Sequence, residues 1–233
     1  MTPASYFLRS VALASAFVGS QGQAAPPEHI KVSYEVTVKG MAGDAVETLE
    51  HDGKTYSIVS ETRGRGILAP LGIINKRTSR GRITPQGLRP DEYRDERPFG
   101  WMVSAKFDWE SRTITQARKG KSEETLQMPA NAQDPLSLAY TFAFLPPKDK
   151  EYDIVRADGR GLTPFRFTVV GSEKLATPLG EMQTLHVAKV RDGPEDKATD
   201  IWFATERDFI PVRALVVDKD GTRADQIVTR IDN

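Results

Sequence analysis

The stretch VSYEVTVK, residues 32–39, alternates apolar and polar side chains without interruption. Successive side chains of an extended chain point to opposite faces, so Val32, Tyr34 and Val36 share one face and the polar residues occupy the other. Such a pattern is typical of antiparallel sheets, because strands of parallel sheets are buried on both faces and form continuous apolar runs. The stretch therefore predicts a half-buried strand of an antiparallel sheet.

The same period of two recurs along the chain. WMVSAKFDW, residues 101–109, and FRFTV, residues 165–169, alternate in this way. Asp-Gly pairs at residues 52–53, 158–159 and 220–221 provide the backbone angles of tight hairpins. The sequence therefore predicts a mainly β chain folded as an antiparallel meander. We expect its strands near residues 31–39, 45–51, 55–63, 76–84, 88–97, 101–109, 112–118, 122–128, 151–156, 163–171, 181–191, 198–204, 211–218 and 223–231.

One segment near the middle of the chain does not alternate. Asp134 can cap a helix that opens with Pro135, and the apolar-rich segment that follows ends at the two prolines of residues 146–147. Because this segment is apolar on most sides, it is expected to be buried against the concave face of the sheet. We predict one short helix near residues 135–145.

The first 24 residues have the three parts of a secretory signal peptide. Arg9 provides the positive charge, residues 10–19 form an apolar core, and Gly22 and Ala24 are the small residues before a cleavage site. The apolar run is shorter than the roughly 20 residues that a stable transmembrane helix needs. We expect cleavage after Ala24 and a periplasmic protein without a stable transmembrane anchor, in which residues 25–233 form a single curved antiparallel β domain.

The charges are balanced overall but unevenly placed. The chain has 32 basic and 32 acidic residues, which argues against a globally basic nucleic-acid-binding protein. Residues 62–90 contain seven basic and no acidic side chains, and four acidic residues follow within residues 91–96. The two segments could pair across antiparallel strands on a solvent face. Alternatively, the basic segment contacts an anionic partner, and the candidate residues are then Arg63, Arg65, Lys76 and Arg77.

A series of short motifs occurs in a recognisable order. They are QDPLS (residues 133–137), TPLG (177–180), IWFA (201–204), FIPVR (209–213) and KDG (219–221). In this order they resemble an exported bacterial family catalogued as domain of unknown function 3108, over residues 30–231. The resemblance implies a strongly curved sheet wrapped around apolar side chains and a helix. Such a sheet forms an open or nearly closed barrel, similar at the level of fold to the periplasmic lipoprotein carriers. It implies no catalytic residues.

No motif for catalysis or metal binding stands out in the sequence. The three histidines do not have the spacing of metal ligands, and residues 25–233 contain no Gly-x-Ser-x-Gly motif. We therefore predict that the protein is not an enzyme and uses no cofactor or metal. An enzymatic alternative requires carboxylates such as Asp108, Glu110 and Asp134 to converge in space.

The stretch ILAPLGII, residues 67–74, is apolar but does not alternate. It could plug the open end of the barrel, or it could be an exposed lip that meets an acyl chain or a bilayer. Aromatic residues at strand spacing on residues 101–109 could line the same cavity, although they are also typical of a packed core. The candidate ligand-binding residues are Leu68, Leu71, Ile73, Trp101, Phe107 and Trp109.

These observations lead to two functional hypotheses. In the first, a non-enzymatic periplasmic protein binds an apolar or amphiphilic, lipid-like envelope molecule in its curved sheet. In the alternative, an envelope scaffold or assembly factor binds another protein through a sheet edge or through the basic residues 63–89. A small barrel either fills its interior with side chains or holds one ligand, so the first hypothesis requires a cavity.

Overall fold

The computed structural model describes residues 26–71 and 74–233, apart from the side chains of residues 67, 68, 71 and 74. The predicted signal peptide, residues 1–24, lies outside the described residues. Among the described residues, no helix has the length and apolar composition needed to cross a bilayer. The described chain forms one sheet of 15 strands. They are β1 (His29–Val38), β2 (Met41–His51), β3 (Thr55–Gly64), β4 (Ile74–Thr84), β5 (Gly87–Arg97), β6 (Trp101–Asp108), β7 (Thr113–Arg118), β8 (Glu124–Gln127), β9 (Ala132–Gln133), β10 (Glu151–Ala157), β11 (Leu162–Thr177), β12 (Gly180–Lys189), β13 (Ala198–Ala204), β14 (Ile210–Val217) and β15 (Arg223–Asp232).

The predicted meander is confirmed, with differences at three strands. Strand β2 begins at Met41 rather than at residue 45, and the two-residue strand β9 was not predicted. Strand β11 continues to Thr177 instead of ending at residue 171. Its pairing with β12 shifts register between Val169 and Gly171. A β-bulge breaks the alternation of side chains. The predicted strand therefore ended at residue 171, although β11 continues to Thr177.

The order of the strands explains why the sheet curves. Strand β1 pairs with β2 on one side and with β15 on the other, so the first and last strands are neighbours at the centre of the sheet. Strands β8 and β9 are the two outer edges, yet only residues 128–131 connect them. The five residue steps from Gln127 to Ala132 span at most about 18 Å, so the sheet must curl until its edges approach each other. The result is a barrel-like sheet that does not close; all pairs are antiparallel except β9 with β10.

The face that the alternation predicts to be apolar is buried. Val32 and Tyr34 of β1 are fully buried, as are Ile58 of β3 and Val103 of β6. Val32, Tyr34 and Ile58 belong to one core cluster, to which strands from both halves of the sheet contribute. Burial of apolar side chains on one face of each strand is the main source of the stability of this fold.

The segment predicted as one helix forms two. Helix α1 spans Pro135–Ala139 and helix α2 spans Thr141–Phe144. Tyr140 lies between them with φ −101° and ψ 8°, outside the helical region. Its hydroxyl donates a hydrogen bond of 3.0 Å to the buried carboxylate of Glu47 in β2. The prediction of a continuous helix was wrong, and this contact across 93 residues is not visible in local sequence. Burial of the helical segment is confirmed, with Leu136 and Phe142 nearly inaccessible to solvent.

Successive turns lie at alternate ends of the barrel because neighbouring strands are antiparallel. We call one end the mouth end and the other the base end. The base end carries the turns at residues 52–54, 85–86, 109–112, 178–179 and 205–209. The mouth end carries the β3–β4 connection and the turns at residues 39–40, 98–100, 119–123, 158–161, 190–197 and 218–222.

Candidate ligand-binding cavity

A cavity of about 660 Å³ lies between the concave face of the sheet and helix α1. Its lining comes from strands of both halves of the barrel, from β2, β4 and β5 as well as from β10 to β15. The β10–β11 turn contributes Asp158 and Arg160, and the β12–β13 turn contributes residues 195–197. Both turns are at the mouth end, so the cavity lies toward that end.

One wall of the cavity is apolar. It is backed by a packed cluster in which the ring centroids of Phe142 and Phe203 lie 4.9 Å apart in an edge-to-face arrangement. Because close-packed side chains fill the space behind it, this wall can offer an apolar surface without collapsing. Six apolar side chains form the wall: Leu138 of α1, Phe165 and Phe167 of β11, Ile201 of β13, and Ala214 and Val216 of β14.

Phe165 lies between two cations at the edge of this wall. The guanidinium carbon of Arg156 is 4.7 Å from the centroid of its ring, and Nζ of Lys189 is 4.8 Å from it. Each cation also has a carboxylate partner: Arg156 Nη2 is 3.4 Å from Asp158 Oδ2, and Lys189 Nζ is 2.6 Å from Asp196 Oδ2. Arg156 Nε is buried without a hydrogen-bond partner among the described residues. The apolar wall thus continues into a charged rim.

The carboxylate of Asp95 is shared by two arginines. Arg97 donates from Nε to Oδ1 at 3.2 Å and from Nη2 to Oδ2 at 2.7 Å, and Arg160 Nη2 donates to the same Oδ2 at 3.4 Å. Both guanidinium carbons also lie over the ring of Trp101, at 4.2 and 5.3 Å from its centroid. Arg97 ends β5 and Arg160 belongs to the β10–β11 turn, so the cluster joins strands on opposite sides of the open seam.

A buried polar network borders the cavity at β2. Glu47 accepts the hydrogen bond from Tyr140, and Arg77 Nη2 lies 3.9 Å from Glu47 Oε1 and 3.1 Å from Ser60 Oγ. Burial raises the pKa of the Tyr140 hydroxyl well above its usual value, so this group remains a hydrogen-bond donor. Arg77, predicted to contact an anionic partner, therefore lines the cavity with Glu47 as its counterion.

Of the carboxylates that the enzymatic alternative requires to converge, Asp134 and Asp108 have separate structural roles. Asp134 is fully buried and caps α1 by accepting hydrogen bonds from the backbone N–H groups of Leu136 and Ser137 at 2.8 and 3.0 Å. Burial raises its pKa to about 6. Asp108 accepts hydrogen bonds from backbone N–H groups in the β6–β7 turn, which also contains Glu110, and these bonds lower its pKa. In the described part of the chain, no cluster of three His, Cys, Asp or Glu residues could hold a metal ion.

The three aromatic candidates of residues 101–109 lie in different surroundings. Trp101 is beside the cavity and contacts two of its arginines. Phe107 is 6% exposed in the core, and its ring stacks on that of Trp109 with centroids 6.3 Å apart. Trp109 donates from Nε1 to the carbonyl oxygen of Pro90 at 2.7 Å. The cavity lining includes none of the three.

The remaining apolar candidates belong to the connection between β3 and β4. Gly66–Leu71 forms a 3-10 helix, of which Leu68 and Leu71 are part. The side chains of Leu68 and Leu71, and the whole of Ile73, are outside the described part of the chain. The topology places this connection at the mouth end, the end toward which the cavity lies.

The basic and acidic segments pair across strands. Arg80 lies opposite Glu92, and Arg82 Nη2 is 2.9 Å from Asp91 Oδ1. The antiparallel arrangement of the two segments allows this pairing. At the surface, each such ion pair contributes only about 0.2–1 kcal/mol to the free energy of unfolding.

The other cations of the basic segment are at the surface. Arg65 contacts both carboxylate oxygens of Asp44, and Lys76 Nζ is 3.3 Å from Glu61 Oε1. Arg63 is exposed on β3. Of the four cations predicted to contact an anionic partner, the structure places only Arg77 in the cavity lining.

Sequence reasoning did not single out the charged rim of the cavity. Asp95 and Arg97 follow the buried Tyr93 at intervals of two on β5, so the alternation could have placed both on the inward face. Arg160 has no such signal because it lies in a turn. Its place in the cavity depends on the contact between that turn and β6.

The comparisons with known proteins agree with this architecture. The chain belongs to a family described as protein of unknown function, DUF3108, whose profile matches residues 31–228. None of the curated protein sequences matches the chain. The family resemblance expected from the sequence motifs is thereby confirmed.

Solved structures that match this one include two bacterial proteins. A β-barrel-like protein of domain of unknown function DUF1849 from Brucella abortus is 13% identical, with a TM-score of 0.57 over 90% of this chain and 99% of that chain. This similarity shows a shared barrel-like fold. A putative outer membrane lipoprotein-sorting protein domain from Vibrio parahaemolyticus is 7% identical, with a TM-score of 0.27 over 88% of this chain and 84% of that chain. That TM-score is too low to support an argument about this chain.

Proposed function

We propose that this protein is a non-enzymatic binding protein that holds one amphiphilic, lipid-like molecule of the cell envelope in its cavity. The proposal places residues 25–233 in the periplasm as one exported domain. The observation that carries it is the cavity itself, in which an apolar wall continues into a charged rim. An amphiphile has the same division, since its chain avoids water and its headgroup requires polar contacts.

The size of the cavity suits a single small ligand. At about 660 Å³, it falls within the roughly 300–1,000 Å³ that is usual for ligand pockets. Each Å² of apolar surface that moves from water to the wall contributes about 25 cal/mol. A short alkyl chain that packs against this wall therefore gains binding free energy in proportion to the apolar surface that it buries.

Exposed apolar groups at the mouth end support the same proposal. Phe99 is 98% exposed in the β5–β6 turn, and Met41 after the β1–β2 turn is 49% exposed. The apolar stretch of residues 67–74 connects β3 and β4 at this end. We propose that it acts as a lip over the cavity, which would let a ligand pass between the cavity and a bilayer without full exposure to water.

The direct test is to fill the cavity and measure binding of the neutral fluorescent probe N-phenyl-1-naphthylamine. Ala214 lines the cavity on β14, so Ala214→Trp should abolish the fluorescence increase on binding while the protein remains folded. The matched control is Ala117→Trp on β7, where Ala117 is half-buried and outside the cavity lining. Equal binding by both variants would contradict the proposal.

Solvent extraction of the purified protein, followed by mass spectrometry, tests for a native ligand. We expect an envelope lipid or a related amphiphile in stoichiometric amount. An extract without such a molecule, together with no probe binding by the wild-type protein, would favour the scaffold hypothesis instead.

A further inference from the structure

The ion pairs around the cavity are balanced at every place except one. Arg77 pairs with Glu47, Arg156 with Asp158, and Lys189 with Asp196. At the mouth end, two more cation–carboxylate pairs join the β12–β13 turn to the β14–β15 turn: Lys197 with Asp218, and Lys219 with Glu195. At Asp95, in contrast, two guanidinium groups share one carboxylate. One positive charge at this position therefore has no counterion of its own among the described residues.

The geometry leaves hydrogen-bond donors available at this excess charge. Arg97 uses two of its nitrogens on Asp95, whereas Arg160 makes a single side-chain hydrogen bond, at 3.4 Å, within the described chain. A guanidinium group has five N–H donors, so most donors of Arg160 have no protein partner there. Both Nη2 atoms contact the same oxygen of Asp95, which keeps the two guanidinium groups close together.

The two guanidinium groups share the ring of Trp101 as a contact. Guanidinium planes stack on aromatic rings, and stacking leaves the N–H groups at the edge of the plane free to bind an anion. The guanidinium carbons of Arg97 and Arg160 both lie over the ring of Trp101. The unpartnered Nε of Arg156, which also lines the cavity, adds a further buried donor.

We infer that Arg97 and Arg160 bind the anionic headgroup of the ligand, a phosphate or a carboxylate, at the rim of the cavity. Arginine pairs with both groups through two parallel hydrogen bonds. The inference rests on the proposed function, because it names the class of amphiphile that the cavity accepts. Asp158 also lies at this position, where it accepts a hydrogen bond from the backbone N–H of Arg160. Its charge is already matched by Arg156.

The test compares ligands that share one alkyl chain. Decanol, decanoate and decyl phosphate are titrated against protein loaded with N-phenyl-1-naphthylamine, and displacement of the probe gives their affinities. We expect wild-type protein to bind the two anionic ligands at least about tenfold more tightly than decanol, because charge-assisted hydrogen bonds are the stronger ones. The preference should decrease with salt, since the rim is partly exposed.

Two substitutions locate this preference. Arg160→Gln should reduce the affinity for decanoate and decyl phosphate about tenfold and leave that for decanol unchanged. Arg94→Gln is the matched control, because Arg94 pairs with Glu92 and is not part of the cavity lining. Thermal melting verifies that each variant is folded, and Arg97→Gln replaces Arg160→Gln if the latter does not fold.

The possible outcomes separate the two proposals. If decanol binds as tightly as the anionic ligands, or Arg160→Gln retains the preference, the headgroup inference is wrong and the proposed function stands. If none of the three displaces the probe and the probe itself does not bind, the proposed function fails. Inorganic phosphate is titrated by calorimetry in parallel. If it binds as tightly as decyl phosphate, the site binds free phosphate rather than a headgroup, and the inference is overturned.

Discussion

Asp134 links the local sequence to the interior of the molecule at the scale of a single residue. Its side chain caps helix α1, and it also accepts a hydrogen bond of 2.6 Å from Ser79 on β4. Ser79 in turn lies 3.1 Å from the hydroxyl of Tyr56. Because this network is buried, Asp134 has a raised pKa of about 6. The capping role was readable from the sequence, whereas the pKa follows from burial.

We expect Asp134 to make the protein less stable as the pH rises through 6. The pKa of about 6 in the folded state is above the value of about 3.9 in the unfolded chain. The stabilising contribution is therefore complete below the unfolded pKa and lost above the folded one. Asp134→Asn keeps a capping oxygen without the charge. The quantity to compare is the free energy of unfolding of the wild type minus that of the variant. This difference should be about 2–3 kcal/mol lower at pH 7 than at pH 4.

Urea denaturation at the two pH values measures this difference. Asp52→Asn is a control of opposite sign, since hydrogen bonds from the backbone of Thr55 and Lys54 lower the pKa of Asp52 to about 2. Its contribution is present above the unfolded pKa and lost as the pH falls through the folded one. A difference for Asp134→Asn that is the same at pH 4 and pH 7 would show that Asp134 has the same pKa in the folded and unfolded chain, and it would contradict this prediction.

Phe107 and Phe165 separate core packing from ligand binding. Phe107 is in the core and outside the cavity lining, so Phe107→Ala should cost about 3–5 kcal/mol of stability and leave probe binding intact. Phe165 lines the cavity and is only half-buried. Phe165→Ala should weaken probe binding with a smaller loss of stability. Loss of binding in Phe107→Ala, at a temperature where it is folded, would instead favour the aromatic-lined site expected from sequence.

At the scale of elements, the β10–β11 hairpin holds the two sides of the open barrel together. Gly159 at its turn has φ +80°, and a Cβ atom there would lie 2.8 Å from the carbonyl oxygen of Ser104 and 3.0 Å from Cβ of Val103. The turn therefore packs directly on β6. This contact places Arg160 next to Asp95 and Trp101.

We expect Gly159→Ala to loosen this contact. Gly53 provides a matched control, because it has the same φ of +80° in an Asp-Gly turn but open space around it. Gly53→Ala should cost about 1–2 kcal/mol, the penalty of the left-handed conformation. Gly159→Ala should cost about 1–3 kcal/mol more through overpacking, and it should also reduce the preference for anionic ligands. Equal stability losses in denaturant titrations would contradict packing of the turn on β6.

The β3–β4 connection is the second element with a testable role. If residues 67–74 form a lip, Leu71→Ser combined with Ile73→Ser should weaken association with anionic liposomes and leave the melting temperature nearly unchanged. The variant would lose a few kcal/mol of docking free energy, because the two serines would transfer less apolar surface from water to the bilayer. A melting temperature lowered by several degrees, with no liposome association of the wild-type protein, would identify the stretch as a plug.

At the scale of the whole molecule, the first strand has a central position. Strand β1 lies between β2 and β15 and begins at His29, so removal of residues 1–24 would remove no described strand. We expect the exported chain to begin at Ala25. Intact-mass measurement of the envelope fraction should show the loss of the first 24 residues, because a cleaved leader is what releases such a chain from the membrane. A retained leader would contradict the proposal of a periplasmic protein without a transmembrane anchor.

The sequence by itself determined the strands other than β9, their buried faces and the cap of the first helix. Each of these depends on neighbours within a few residues: the alternation of Val32, Tyr34 and Val36, the Asp-Gly turns, and Asp134 before Pro135. The order of motifs also identified the family. The candidate site was only partly predictable, since Arg77 was singled out but Arg97 and Arg160 were not.

Only the tertiary structure decided where distant polar groups meet. Tyr140 breaks the helical segment where it bonds to Glu47, and Arg160 reaches Asp95 only because the β10–β11 turn packs on β6. Such contacts depend on how far the sheet curls, and curvature is a property of all fifteen strands together. Local patterning selects the face of each strand, but it does not specify which side chains of two separated strands occupy the same cavity.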